Sequence, residues 1–213
     1  MTSTMTTQPI QLAVNYLQGS GEKPNSQAVV SALLAAERQS RREKSQYQYD
    51  DLVGKWRLGF VSGTQTVRSG PKALPVKKPG KGRFIPRFLT VEIIYKSADE
   101  TSLTSSVADN FDEPKGRINS VENRVIAGPL RICLSGPTLF KEKLNALVFD
   151  FTQLAVSLGG WTPYSGSIRG GEESRQNFEA RSLKEQAFFT FFLVEDSYIA
   201  ARGKGGGIAL WTR

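Results

Sequence analysis

Histidine is absent from this chain of 213 residues, and cysteine occurs once, at Cys133. Without an imidazole, serine–histidine and cysteine–histidine mechanisms are excluded, as are histidine metal ligands and a histidine switch near neutral pH. A single cysteine also excludes an intramolecular disulfide and a thiolate metal cluster. The carboxylates lack the spacing of a catalytic pair. We therefore expect a protein that is not an enzyme, has no catalytic residue and needs no metal or cofactor.

Long apolar runs are also missing. No stretch approaches the roughly 18 to 20 apolar residues that cross a bilayer, and the N-terminus lacks the basic and apolar regions of a secretory signal. Residues 1–9 contain no arginine and do not resemble an organelle transit peptide. We expect a protein that is neither secreted nor integral to a membrane and that carries no import sequence.

Acidic residues are missing from residues 68–87, whereas the whole chain carries 28 Lys and Arg against 20 Asp and Glu. The cations of this basic segment are Arg68, Lys72, Lys77, Lys78, Lys81, Arg83 and Arg87. Its prolines and glycines predict a long loop. A solvated loop without a partner is the simplest interpretation. The second is an anionic lipid surface, where each cation contributes about 1 kcal/mol beside Phe84, Ile85 and Phe88.

Nucleic acid is the third partner considered for the basic segment, because the same cations suit phosphates. It ranks last, since aromatic stacking platforms are missing from most of the segment and no RNP-like signature is present.

Two helices are predicted in residues 1–48. Pro9 marks a possible helix start, and apolar residues with helical spacing follow it until Gly19. Asn25 or Ser26 can cap a second helix, whose apolar face extends from Val29 to Ala36. The pattern predicts an N-terminal tail and a short helical hairpin before a second domain, residues 49–213.

From Leu52 onward the apolar period changes to two, which is typical of half-buried strands. Further strands are predicted at residues 89–95, 103–108, 130–134, 145–158, 186–194, 198–201 and 207–212. Many strands separated by glycine turns predict a mainly β fold, an antiparallel barrel preceded by the helical segment.

Large apolar side chains recur in these strands. Inward-facing members could line a dry cavity for a lipophilic molecule, because a barrel of about eight strands can hold one small ligand. The candidate lining residues are Trp56, Leu58, Phe60, Val91, Ile93, Tyr95, Ile132, Phe149, Phe151 and Phe191. A filled core has the same binary pattern, so both interpretations remain open.

Three short motifs resemble the plastid-lipid-associated proteins, also called plant-type fibrillins. Leu52, Gly54, Trp56 and Leu58 are similar to the opening strand of that family, and residues 121–125 are similar to its central Val-Glu-Asn-like segment. Asp196, the Arg202–Gly203 step and residues 208–211 follow the family's C-terminal order. The family's Leu-Arg-Ile step corresponds to residues 198–200, where its arginine is absent.

This resemblance implies a lipocalin-like barrel that binds lipids, carotenoids or quinone-type molecules and has a structural or photoprotective role at thylakoids or plastid lipid globules. The missing transit peptide favours a cyanobacterial-type member on the cytoplasmic side of the thylakoid, or a plastid protein if a transit peptide has been lost from the sequence. The alternatives are a nucleic-acid-binding barrel that uses residues 68–87 and a calycin-type chromophore lyase.

Overall fold

The computed structural model describes residues 3–67, 76–98, 119–182 and 185–213. The helices are α1 (Ser3–Leu17), α2 (Ser26–Glu43) and the short α3 (Gly171–Gln176), and two 3₁₀ turns span Asp50–Leu52 and Glu142–Leu144. The strands are β1 (Gly54–Val67), β2 (Val76–Phe84), β3 (Leu89–Lys96), β4 (Ser120–Ala127), β5 (Leu130–Lys141), β6 (Ala146–Phe149), β7 (Gln153–Leu158), β8 (Trp161–Ser167), β9 (Ala187–Glu195), β10 (Tyr198–Gly203) and β11 (Ile208–Thr212).

The strands form one sheet in the order β4-β3-β1-β11-β10-β9-β6-β5, and β5 pairs back with β4. Eight strands thus close into an antiparallel barrel, which confirms the predicted mainly β, lipocalin-like fold preceded by a helical segment. Three strands lie outside this ring of eight: β7 pairs with β5, β8 pairs with β7, and β2 pairs with β1. Closure satisfies the backbone groups that an open sheet leaves at its edges.

The helical hairpin follows the sequence signals closely at α2 and less closely at α1. The Asn25 side chain accepts hydrogen bonds from the backbone N–H groups of Gln27 and Ala28, so Asn25, one of the two predicted candidates, is the N-cap. Helix α1 begins at Ser3 and contains Pro9, so the start predicted at Pro9 was wrong. A proline removes one backbone donor from a helix but does not forbid the turns on either side of it.

Part of the basic segment is a strand, so the prediction of a loop over residues 68–87 was wrong there. Strand β2 pairs antiparallel with β1, from Phe84 beside Phe60 to Val76 beside Val67. The register shifts between Ser62, which pairs with Gly82, and Thr64, which pairs with Pro79, so Gly80 and Lys81 lie opposite Gly63. A bulge of this kind accommodates the residues that argued for a loop.

The strand predicted at residues 145–158 is divided in the structure into β6 and β7, which pair with successive parts of β5. The backbone of Asp150 passes directly over Gly136, where a Cβ atom would collide with the Asp150 carbonyl oxygen. The strand predicted at residues 103–108 lies outside the described residues.

The chain forms two compact units, each built from several stretches. The first contains the helical hairpin, the described part of Leu58–Ile85, and Phe189–Arg213. Its core joins the apolar faces of α1 and α2 to those of β1, β9, β10 and β11. The buried side chains of this core include Val14, Leu33, Phe60, Phe192 and Leu210.

The second unit comprises Gln48–Arg57 and the described part of Pro86–Phe188. It contains the start of β1, strands β3 to β8 and α3. Near α3, Asp150 binds Arg181 at 3.1 Å, and the Gln186 amide donates to the Phe178 carbonyl at 2.6 Å. The first contact joins the chain after β8 to the connection between β6 and β7, and the second closes that chain segment on itself.

Candidate ligand-binding face

One face of the sheet in the second unit is apolar over four successive rows of paired residues. Residues directly opposite each other in paired strands point to the same face, so the register defines each row. The deepest row joins Gly54, Tyr95, Val121 and Gly136, and the next joins Trp56, Ile93, Asn123, Leu134 and Leu154. The third joins Val91, Val125, Ile132, Val156 and Tyr164, and the last joins Leu89, Ala127, Leu130, Leu158 and Trp161. The register of β7 and β8 shifts between Val156 and Leu158, so a bulge on β8 separates Tyr164 from Trp161. We call these four rows the ligand face.

Burial decreases along the ligand face from the first rows to the last. Trp56, Ile93, Tyr95 and Val121 are buried, the third row is largely half-buried, and Trp161 is exposed. The Trp56 ring is fixed because its Nε1–H donates to the Leu52 carbonyl at 2.7 Å. The face is therefore rigid at its buried end and accessible at the other.

Asn123 places a carboxamide in the second row, beside Ile93 on one side and Leu134 on the other. A carboxamide both donates and accepts hydrogen bonds. A few polar groups in an otherwise apolar site orient a ligand and give specificity. Asn123 could therefore contact a carbonyl or hydroxyl group of a bound lipophilic molecule.

Five of the ten predicted lining residues are brought together on the ligand face: Trp56, Val91, Ile93, Tyr95 and Ile132. Sequence reasoning did not select Asn123, Val125, Leu134, Leu154 or Val156 as lining residues. The alternation in residues 121–127 contains the signal, because Asn123 is in phase with Val121 and Val125.

The remaining predicted lining residues are not members of these four rows. Phe60 is fully buried in the core between the helices and the first unit's strands. Leu58 lies two residues after Trp56 on β1, in phase with it, and is half-buried. Phe149 pairs with Thr138, which is two residues beyond Gly136 on β5 and therefore in phase with it. The Phe149 ring centroid lies 5.3 Å from that of the half-buried Phe151.

Phe191 belongs to an aromatic cluster in the first unit. Its ring centroid lies 6.5 Å from both Phe189 and Trp211, which are 5.3 Å from each other. Side chains alternate along a strand, so Trp211 points away from the face on which Leu210 contacts the helices. The cluster is a second group of apolar side chains, in which Phe191 and Trp211 are buried and Phe189 is half-buried.

The opposite face of the second unit's sheet is polar. Glu122 accepts hydrogen bonds from Arg124 and from the Cys133 thiol, the latter at 3.0 Å, and lies 3.9 Å from the Lys96 ammonium. Burial raises the pKa of Glu122, but these hydrogen bonds and the charges of Arg124 and Lys96 outweigh burial and lower that pKa below its ordinary value. The single cysteine is thus a structural partner of a half-buried carboxylate.

The predicted cationic residues are partly described. Lys81 and Arg83 are exposed on β2, and Arg87 is exposed just beyond it. Lys77 and Lys78 belong to β2, where they pair with Thr66 and Gln65 of β1. Arg68 and Lys72 lie outside the described residues.

Comparison of the chain with protein-family models, curated proteins and solved structures finds no match. Among the described residues, no group of three or more metal-ligating side chains occurs. Within the same parts of the chain, no helix has the length and apolar character needed to cross a membrane.

Proposed function

We propose that this protein binds a lipophilic molecule on the ligand face without carrying out a reaction. The observation that carries this proposal is the continuity of the four rows, which lead from the buried Trp56 to the exposed Trp161. An eight-stranded barrel is compatible with holding one small ligand. A mostly apolar face with one carboxamide suits a long hydrocarbon that carries a single polar group.

We further propose that the chain is a plastid-lipid-associated protein of the cyanobacterial type. Its cargo would be a lipid, carotenoid or quinone, and its role would be structural or photoprotective at the thylakoid surface. The similarity of Leu52, Gly54, Trp56 and Leu58 to the family's opening strand supports this proposal. The exposed cations Lys81, Arg83 and Arg87 support peripheral contact with anionic lipids.

The test is organic extraction of the protein purified from a photosynthetic host, followed by mass spectrometry and an absorption spectrum. A protein of similar size and charge, purified identically, is the control. A carotenoid, quinone or lipid present in a constant ratio to the protein supports the proposal and identifies the cargo. An extract no richer than the control contradicts it and indicates a filled core.

A further inference from the structure

The last row of the ligand face ends in a cluster of exposed apolar side chains. Phe88, Leu158 and Trp161 are 78%, 50% and 69% exposed. Leu130 and Tyr164 are also exposed, and the five together form what we call the apolar rim. Seven large hydrophobic side chains are exposed in the described parts of the chain, and five of them belong to this rim. Scattered exposed apolar residues need no explanation, whereas a cluster marks an interaction surface.

Three chain turns hold the apolar rim at one end of the sheet. Residues Ala127 and Leu130 flank the turn between β4 and β5, and Leu158 and Trp161 flank the turn between β7 and β8. The Gly159 N–H donates to the Pro129 carbonyl at 3.0 Å, which joins these two turns. A third turn places Phe88 immediately before Leu89, the β3 member of the same row.

The charged residues in the three turn segments are all cations. Residues 84–91, 124–141 and 151–171, which contain the three turns, include no aspartate or glutamate. Arg87 adjoins Phe88, Arg131 adjoins Leu130, and both arginines are exposed. Exposed Trp, Tyr, Phe and Leu beside arginine match a lipid interface, where aromatic rings lie at the headgroup level and cations contact anionic headgroups.

We propose that the apolar rim is a membrane-docking surface that inserts into the headgroup region of an anionic bilayer. This inference rests on the proposed peripheral membrane contact and adds an apolar surface to the cations that support it. The rim is also the accessible end of the ligand face, so docking would place that end against the bilayer. A lipophilic molecule could then pass between the bilayer and the ligand face without crossing water.

The test measures binding of the full chain to vesicles of phosphatidylcholine with and without phosphatidylglycerol. The rim variant is Leu158→Ser with Trp161→Ser. The matched control is Leu144→Ser. Leu144 is 55% exposed, but it lies just after the C-terminal end of β5, whereas Leu130 of the rim begins that strand. Thermal melting checks that all variants fold, which is expected because the substituted side chains are exposed.

We expect the rim variant to bind anionic vesicles roughly tenfold or more weakly than the wild type, because membrane affinity scales with inserted apolar area. The control should bind like the wild type. Trp56 and Trp211 are buried, so the exposed Trp161 should report insertion directly. Brominated lipid should quench part of the tryptophan emission of the wild type. The Trp161→Phe variant should show no such quenching.

Equal vesicle binding by the wild type and the rim variant would overturn the rim as the docking surface while leaving the proposed membrane contact intact. No vesicle binding by the wild type would overturn both. If sedimentation shows a dimer and brominated lipid does not quench Trp161, the apolar rim is a dimer interface. That result would also overturn docking. Cargo extraction is measured separately, so failure of docking and failure of cargo binding are distinguishable.

Discussion

Arg202 on β10 donates two hydrogen bonds to the carboxylate of Glu37 on α2, across 165 positions of the chain. The Nε–Oε1 distance is 2.7 Å, and a third donor nitrogen of Arg202 binds the Gly206 carbonyl, also at 2.7 Å. Glu37 is buried, although its i+4 partner Arg41 is mostly exposed. The pair fastens the helical hairpin to the strands of its own unit.

Arg202→Met should therefore reduce the free energy of unfolding by about 2 to 4 kcal/mol, because a buried carboxylate loses its main partner. Chemical denaturation measures this change. Arg41→Met is the matched control, since it removes an exposed partner of the same carboxylate and should cost less than about 1 kcal/mol. Equal losses in the two variants would contradict the assignment of Arg202 as the principal partner.

Acid should destabilise the protein through Glu37 and Glu122. Burial raises the pKa of Glu37, but hydrogen bonds and charges from Arg202 and Arg41 outweigh burial and lower it below 4.5, as occurs at Glu122. A lowered folded-state pKa means that the unfolded chain binds more protons in acid. The stabilisation is thus complete well above pH 4.5 and is lost as the pH falls through the folded-state pKa.

Melting temperatures from about pH 7 to about pH 3 measure this dependence. Glu37→Gln should melt at a lower temperature near neutral pH and show a shallower decline in acid. Glu142→Gln, in an exposed turn, controls for removal of any carboxylate. Parallel wild-type and Glu37→Gln profiles would show that Glu37 does not contribute to the acid transition.

Gly136 should tolerate no side chain, because the Asp150 backbone crosses it where the chain leaves β6 for β7. Gly136→Ala is expected to lose about 3 kcal/mol of unfolding free energy, since rigid backbone must move. Gly205→Ala adds the same methyl group in open space and should change stability by less than about 0.5 kcal/mol. A Gly136→Ala variant as stable as Gly205→Ala would show that the crossing can relax.

Val125→Trp should block the ligand face at its third row. We expect roughly tenfold weaker binding of a fluorescent polyene fatty acid, because the indole fills space above Ile132 and Val91. Ile126→Trp is the control, since the next residue on β4 points to the opposite face. Equal affinity in both variants would locate the fatty acid elsewhere, for example at the Phe191 cluster.

Charge reversal on β2 should weaken attachment of the protein to anionic lipid. Lys77→Glu, Lys78→Glu and Lys81→Glu together change the net charge by six units. Binding to anionic vesicles should weaken, and the loss should be larger in low salt than in high salt, because low salt screens charges less. Competition between vesicles and an oligonucleotide tests the nucleic-acid alternative. Unchanged vesicle binding would remove the docking role of β2, and preferential oligonucleotide binding would favour nucleic acid.

Much of the ligand face was predictable because strand alternation is a local property. The period of two in β3 already places Val91, Ile93 and Tyr95 on one face. Asn123 follows the same rule on β4, but its role depends on Ile93 and Leu134, which come from other strands. The neighbours of a residue across a sheet depend on register, which no single segment specifies.

The sequence by itself determined the helical hairpin, a cap at Asn25 or Ser26 and the strand periodicity, because helix caps and side-chain alternation depend on neighbouring residues. Only the tertiary structure decided that residues 76–84 form a strand, that Phe60 packs against helices, and that three turns gather the apolar rim. The physical reason is that these features arise from pairing and burial between distant segments. Such contacts gain free energy only when the whole fold brings the segments together.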